Sequence, residues 1–178
     1  MRKLCGITVM MVLISGWGFC SQGLTMDWEM LGIRGGISDN RNDNNFYQVE
    51  AFSIWNMPWS WALGAGWSLT PYLEANAGMI RASDNSAFVG SAGPGIYFTG
   101  FKETTRIFMG INPTAISKHQ FGNDDLGGAV QFTSHIGIDF NVTRHIAIGY
   151  RLQHMSNAGL YSPNPGVNMH MLEVGYRF

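Results

Sequence analysis

The sequence has few of the charged residues with which a soluble protein hydrates its surface. Only 13% of its 178 residues are charged, about half of the share usual in a soluble domain. Hydrophobic residues make up 46% of the chain, aromatic residues 13%, and 23 residues are glycine. The formal net charge of -1 offers no attraction for a polyanion, so we expect no nucleic acid among the partners.

A long apolar run is also missing, because the one apolar stretch near the start is short. Arg2 and Lys3 precede an apolar segment over residues 5–19. This segment is shorter than the roughly 20 residues that a transmembrane helix needs, and its basic start is typical of a secretory signal. We predict a signal peptide over residues 1–23, with an approximate cleavage position.

Cysteine is almost absent. Cys5 and Cys20 both lie in the predicted signal peptide, and the single domain that we predict over residues 24–178 contains none. The mature chain therefore has no residue for a disulfide, a thiolate metal site or a cysteine nucleophile.

Motifs of metal and cofactor sites are absent as well. The sequence contains no HExxH or paired-ligand spacing, so we expect no metal. The glycines of "GSAGPG" at 90–95 do not form a dinucleotide fingerprint, and we predict no cofactor. A loop with His119, Asp124 and Asp125 could contact calcium or phosphate. Such residues are more often simply solvated in a surface loop.

Alternation of apolar and polar residues is the dominant pattern after residue 25. Ile146, Ile148, Tyr150 and Leu152 share one parity, which is the period of a β-strand. Turn-rich clusters separate eight such segments. We place the eight strands near 30–38, 46–56, 65–81, 87–99, 105–117, 128–141, 145–156 and 168–178.

Eight strands of this kind with little charge and an export signal predict an all-β fold: an eight-stranded antiparallel transmembrane β-barrel of the outer-membrane type. A closed barrel satisfies every backbone polar group internally, as the bilayer requires. Aromatic residues could form the interfacial girdles: Trp55, Trp59, Trp61, Trp67, Tyr72, Tyr150, Tyr176 and Phe178. A secreted soluble barrel or sandwich is the alternative, but it would leave the scarcity of charge unexplained.

His154 and Ser156 continue the apolar parity of the seventh strand, so we predict that both face lipid while Arg151 and Gln153 face the lumen. With both chain ends in the periplasm, this strand ends at the outer leaflet. A His-x-Ser pair in a strand is most often structural. A polar pair facing hydrocarbon is costly, however, and this position favours a functional site.

The parity of the eighth strand sorts its residues in the same way. We predict that Asn168, His170, Leu172, Val174, Tyr176 and Phe178 face outward, and that Glu173 and Arg177 face inward. We also expect a charge network in the lumen, with members among Arg34, Glu50, Glu74, Arg106 and Arg151.

The stretch "YRLQHMSNAGLYSPNPGVN", residues 150–168, resembles the PagL-type lipid A 3-O-deacylases, in which "HMSNAG" and "PNPG" stand at the same spacing. The resemblance implies an outer-membrane serine esterase that hydrolyses the 3-O-linked acyl chain of lipid A. It also implies a site that faces the outer leaflet, with lipid A or lipopolysaccharide and outer-membrane lipids as partners. A homodimer is compatible with it.

The same resemblance implies a role for each residue of the motif. Ser156 matches the nucleophile and His154 the general base of a Ser-His-acid triad. Asn157, the backbone amide of Gly159 and Asn164 are candidates for holding the oxyanion. These roles agree with the chemistry, because a serine needs a neighbouring base and the developing negative charge needs prepositioned donors.

The third catalytic position holds Asn168 where the family pattern has Glu. An asparagine can orient a histidine by accepting from its ring N–H, but it cannot stabilise the imidazolium by charge, so we expect lower activity. Glu173 is the nearest carboxylate downstream, and its parity points into the lumen. His170 shares the outward face and could be a secondary polar partner or contact a lipid headgroup.

Two other functions compete with the esterase. The first is a non-catalytic structural or adhesive outer-membrane barrel that retains the motif, which Asn168 favours. The second is a palmitoyl-transferring barrel, which the outward parity of Ser156 disfavours because such an enzyme has a lumenal active site.

Overall fold

The computed structural model describes residues 25–39, 44–100 and 104–178, and its regular structure in these ranges is entirely β. Within them, no helix is long and apolar enough to cross a membrane. The predicted signal peptide lies outside the described residues. The eight long strands are β1 (Asp27–Ser38), β2 (Phe46–Asn56), β3 (Trp67–Ala82), β4 (Asn85–Gly100), β5 (Thr105–Ile116), β6 (Val130–Asn141), β7 (Ile146–Ser156) and β8 (Val167–Arg177).

These strands form one closed antiparallel barrel, which confirms the predicted fold class. Each strand pairs with its neighbour along the chain. The closing ladder between β1 and β8 runs from Met30 opposite Arg177 to Ser38 opposite Met169. Closure satisfies the backbone groups of both terminal strands, which an open sheet would leave unpaired.

Two segments that we expected to be turns contain short strands. Trp61–Gly64 pairs with the start of β3 and forms a hairpin that extends the barrel wall at the end where β1 begins and β8 ends. Gln120–Phe121 pairs with Asp124–Asp125 inside the long connection between β5 and β6. Strands of two to four residues are too short to show a period of two, so the sequence pattern did not indicate them.

The barrel is apolar outside and polar inside. Large outward side chains such as Phe88 and Leu172 are 69% and 70% exposed. Tyr72 is the exception among the aromatic residues predicted for the girdles. It is buried in the lumen, where its ring packs 4.4 Å from that of Tyr97 and its hydroxyl lies 3.0 Å from His135 Nε2.

A buried charge network crosses the middle of the lumen. Arg34 Nε lies 2.5 Å from Glu50 Oε1, and Arg34 Nη1 lies 3.1 Å from Glu173 Oε2. Glu74 pairs with Arg34 and also with Arg151, whose Nη1 lies 2.9 Å from its Oε1. The predicted inward direction of Glu173 and Arg151 is therefore confirmed. Buried charges require such partners. The charged side chains lie in the lumen because a charge on the lipid-facing wall would be costly.

An apolar layer closes the lumen at the end that carries the longer loops. Phe121 and Leu126, from the connection between β5 and β6, are 0% and 2% exposed and pack into the mouth of the barrel. The Phe121 ring meets that of Phe46 edge-on at 5.2 Å between centroids. This loop is thereby fixed beside the end of β7.

Candidate active site

The residues of β7 alternate between lipid-facing and lumenal positions, as predicted. Ala147, Arg151, Gln153 and Met155 are buried. The opposite parity is exposed and comprises Ile146, Ile148, Tyr150, Leu152 and His154. His154 is therefore a polar side chain that follows aliphatic and aromatic ones on the outward face of β7.

Polar residues on the neighbouring strands flank His154. It lies opposite Ser134 of β6 and opposite Asn168 of β8 in the two antiparallel ladders. Residues directly opposite each other in an antiparallel sheet project on the same face. Three adjacent strands therefore place an outward polar row across the barrel wall.

Asn168 contacts His154 through its side-chain oxygen. His154 Nδ1 lies 2.7 Å from Asn168 Oδ1. The other end of the same amide donates from Nδ2 to Asp39 Oδ2 at 3.1 Å. Asp39 follows the last residue of β1, and we did not predict it. No local motif marks it, and only the register between β1 and β8 could have brought it to this position.

Ser156 is the last residue of β7 and is half-buried. It lies two residues after His154, so the strand period places both side chains on one face. The strand ends there because the next residues leave the β conformation: Ala158 and Gly159 have φ angles of 52° and 81°. Ser156 therefore stands where the barrel wall meets the loop over residues 157–166.

Gly166 lies against the His154 ring. Its φ is +68°, and a Cβ at this position would lie 2.7 Å from His154 Cε1 and 3.4 Å from Nε2. Any larger residue would have to displace the ring and would also adopt a strained backbone conformation. The glycine of "PNPG" therefore leaves the imidazole room to stay in contact with Asn168.

The Asn157 side chain ties two loops together. It is fully buried, and its Nδ2 donates to the carbonyl oxygens of Leu126 at 3.0 Å and Pro163 at 2.9 Å. Its Oδ1 accepts from the backbone N–H groups of Gly159 at 2.9 Å and Tyr161 at 3.4 Å. Both hydrogens of the amide are therefore engaged, and the loop over residues 157–166 is held against the β5–β6 connection.

The three candidates for holding the oxyanion differ in how they are engaged. The side-chain amide of Asn157 donates to Leu126 and Pro163, and the backbone N–H of Gly159 donates to Asn157 Oδ1. Asn164 is exposed, and its Oδ1 accepts from the backbone N–H of Asn157 at 3.0 Å. This contact uses the oxygen of the Asn164 amide and leaves its amino group out of the loop's hydrogen bonds with Asn157.

A cavity of about 640 Å³ lies beside His154 on the outer face. Its apolar wall consists of Met109, Ile136 and Leu152, which project from three adjacent strands. Its polar wall includes Ser134, His154, Asn168, His170 and Asp39. Sites of about this volume commonly hold a small organic ligand.

Two further residues considered in the sequence have other partners. Glu173 faces the lumen and pairs with Arg34, so it lies on the opposite side of the wall from His154. His170 is on the outer face, and its Nδ1 lies 2.5 Å from the Tyr150 hydroxyl. His170 therefore belongs to the polar side of the cavity. Its hydrogen bond is to Tyr150 and not to His154 or Asn168.

The loop residues His119 and Asp125 pair with each other. His119 Nδ1 lies 2.8 Å from Asp125 Oδ1, which also accepts from the Gly127 backbone N–H at 2.8 Å. These two hydrogen bonds, first that of His119, lower the pKa of the Asp125 carboxyl from its ordinary value. Asp124 accepts from Asn44 at 2.8 Å. In the described ranges, no group of three or more His, Cys, Asp or Glu residues is arranged to hold a metal ion.

The chain is similar to known lipid A deacylases along most of its length. The model of the family "Lipid A 3-O-deacylase (PagL)" matches residues 46–177. The lipid A deacylase PagL of Bordetella bronchiseptica is 35% identical over 153 residues, which cover 82% of this chain and 84% of that protein. The corresponding protein of Pseudomonas aeruginosa is 31% identical over 122 residues, covering 66% of this chain and 69% of that protein.

A solved structure shares the barrel fold. The crystal structure of the outer membrane enzyme PagL superposes with a TM-score of 0.70 at 23% sequence identity. The match covers 82% of this chain and 97% of that one.

Asn157→Asp tests the tie between the loops. The substitution keeps the acceptor for Gly159 and Tyr161 but turns a buried carboxylate toward two carbonyl oxygens, which repel it. We expect hydrogen exchange at the Gly159 and Tyr161 amides to accelerate about tenfold to a hundredfold, measured by mass spectrometry on the protein in detergent micelles.

Asn164→Asp is the matched control. It keeps the oxygen that accepts from the Asn157 backbone, so the same amides should exchange at nearly the unsubstituted rate. If Asn157→Asp leaves their exchange unchanged, the Asn157 amide does not hold the loop.

Proposed function

The chain belongs to the PagL family of lipid A 3-O-deacylases, and from this premise we propose that it is an outer-membrane serine esterase that hydrolyses the 3-O-linked acyl chain of lipid A. The outward position of His154 carries this proposal. A substrate whose acyl chains lie in the outer leaflet can reach a site on the lipid-facing wall, whereas a lumenal site would require it to enter the barrel.

The cavity beside His154 suits an acyl chain. Met109, Ile136 and Leu152 supply an apolar wall, and the polar row lies at its edge. Lipid tails are about as apolar as these side chains, so moving a chain from bilayer to cavity gains little hydrophobic free energy. The cavity therefore acts mainly by orienting the ester beside the polar row, which lowers the entropic part of the barrier.

The proposed reaction proceeds through an acyl-enzyme. Ser156 Oγ attacks the ester carbonyl carbon, and its proton passes to Nε2 of His154, whose Nδ1 is held by Asn168. The tetrahedral intermediate collapses, the 3-hydroxyl of the sugar leaves, and His154 returns the proton to it. Water then hydrolyses the acyl-serine by the same route, releasing the 3-hydroxy fatty acid and free Ser156.

Asn164 is the donor that we favour for the oxyanion. Its amino group is available, while the side-chain amide of Asn157 and the backbone amide of Gly159 already donate to other groups of the protein. Asn157 then contributes indirectly, because its backbone N–H holds the oxygen of Asn164 and thereby directs the amino group of that side chain. Exposure of Asn164 agrees with a donor that meets the substrate at the edge of the wall.

The proposal also includes export of the chain and its oligomeric state. Export by a signal peptide over residues 1–23 would deliver the chain to the outer membrane. A homodimer is compatible with the proposed reaction but is not required for it, because every residue assigned to the site belongs to one chain.

Ser156→Ala tests the function directly. Lipid A from cells that express the unsubstituted chain should lose the mass of one 3-hydroxyacyl group, as measured by mass spectrometry. Removing the nucleophile should lower the rate at least about 10³-fold with purified protein and lipid A in detergent. Ser86→Ala, at an exposed position on β4, should leave the rate unchanged.

The same measurement separates the alternatives. An unchanged lipid A mass with a correctly inserted barrel would support the structural or adhesive function, and a gain of one acyl chain would support palmitoyl transfer. Full activity of Ser156→Ala would show that the nucleophile is a different residue.

Asn164→Asp tests the oxyanion donor. The substitution keeps the contact with the Asn157 backbone but removes the N–H groups and adds negative charge where the oxyanion forms. We expect kcat to fall about 10²- to 10³-fold with a small change in KM, measured by release of the hydroxy fatty acid. An unchanged kcat would assign the oxyanion to another donor.

A further inference from the structure

Asn168 lies between His154 and a carboxylate. Its Oδ1 is 2.7 Å from His154 Nδ1, and its Nδ2 is 3.1 Å from Asp39 Oδ2. We propose that Asp39 is the charged member of the site and acts on His154 through the Asn168 amide. This inference rests on the proposed function and identifies a positioning residue for it, remote in sequence from the motif that carries the nucleophile.

The polarity of the hydrogen bonds gives Asp39 its first role. An ionised carboxylate only accepts, so Asn168 must turn its Nδ2 toward Asp39 and its Oδ1 toward His154. Because that oxygen also only accepts, His154 must carry its proton on Nδ1. Nε2 is then the unprotonated nitrogen, which is the one required to take the proton of Ser156.

Without Asp39, the orientation of the Asn168 amide would not be fixed. Rotation of the amide by 180° would present Nδ2 to the imidazole, and this would favour the tautomer with its proton on Nε2. That tautomer cannot act as the base for Ser156. Asp39 therefore selects the catalytic tautomer by selecting the orientation of one amide.

The second role is electrostatic. When His154 takes the proton of Ser156 it becomes an imidazolium, and one amide group separates it from the Asp39 carboxylate. The dielectric constant is low at a lipid-facing wall, so this attraction is stronger than it would be in water. Asp39 thus supplies the negative charge that Asn168 itself lacks.

The backbone holds Asp39 in place for this contact. Its N–H donates to the Asn168 carbonyl oxygen at 3.0 Å, which continues the β1–β8 ladder by one residue beyond Ser38. Asp39 is therefore bound to Asn168 by both backbone and side chain. Its half-buried position keeps the carboxylate beside the amide while one side remains at the surface.

The other groups around His154 do not offer this charge. Among the described residues that line the cavity, Asp39 is the one carboxylic acid. Ser134 faces His154 from β6, and His170 on β8 contacts the Tyr150 hydroxyl. Glu173, the next acid on β8, is paired with Arg34 in the lumen.

Asp39→Asn in the full-length protein is the test. The substitution keeps an oxygen that can accept from Asn168 but removes the negative charge. It also adds an amino group at position 39, so the Asn168 amide is no longer held in one orientation. We expect kcat to fall about tenfold to a hundredfold, which is the size of effect found for carboxylates that orient metal-binding histidines. KM should be nearly unchanged.

Asp84→Asn is the matched control, since it removes one exposed carboxylate from the two-residue turn at the same end of the barrel. It should leave kcat unchanged. A normal kcat for Asp39→Asn, with the unsubstituted chain active, would overturn the proposal.

A second background distinguishes an electrostatic role from a structural one. With Asn168→Glu in place, a carboxylate contacts His154 directly and Asp39 repels it, so Asp39→Asn should then leave the rate unchanged or raise it. If Asp39 had only a structural role, Asp39→Asn would lower the rate equally in the unsubstituted chain and in the Asn168→Glu variant. This result would overturn the proposal.

A measurement that does not depend on activity separates this inference from the proposed function. ¹⁵N NMR of the neutral His154 imidazole should show the Nδ1–H tautomer in the unsubstituted chain and a substantial Nε2–H population in Asp39→Asn. The same tautomer in both proteins would overturn the role of Asp39. An inactive chain that shows the expected tautomer change would instead contradict only the esterase function.

Discussion

A barrel wall that faces hydrocarbon must be apolar, and this constraint determines the rest of the structure. Most charged residues of the long strands are placed inside, where Arg34 lies among three glutamates and Arg151 pairs with one of them. An outward polar residue is costly unless it has partners and a reason to be there. The row from Ser134 through His154 to Asn168 and Asp39 is therefore the feature of the outer wall that requires a functional explanation.

Rigid elements support this polar row. His154 and Asn168 stand on paired strands, and Asp39 extends the β1–β8 ladder that closes the barrel. The loop after Ser156 is fixed by the buried amide of Asn157. Side chains on paired strands keep their relative positions more precisely than side chains on loops. This precision favours a reaction that needs a serine, a base and an oxyanion donor to be aligned in advance.

The sequence was informative wherever a property depends on neighbouring residues along a strand. The period of two predicted the outward face of His154 and the inward face of Glu173, and eight alternating segments predicted the barrel. Asp39 could not be found in this way, because it is 129 residues from Asn168 and meets it only through the register that closes the barrel. Tyr72 was assigned to the wrong face because aromatic residues fit both a girdle and a packed lumen.

The proposed function requires above all that Ser156 is a nucleophile and that His154 activates it on the lipid-facing wall. A long-chain alkyl fluorophosphonate tests it without assuming a substrate, because this probe partitions into the bilayer and reacts with activated serines. In outer-membrane vesicles that contain the folded protein, peptide mass spectrometry should find the adduct on Ser156, and His154→Ala should abolish it. An unmodified Ser156 in the folded protein, or equal modification after His154→Ala, would contradict the activation of Ser156 by His154.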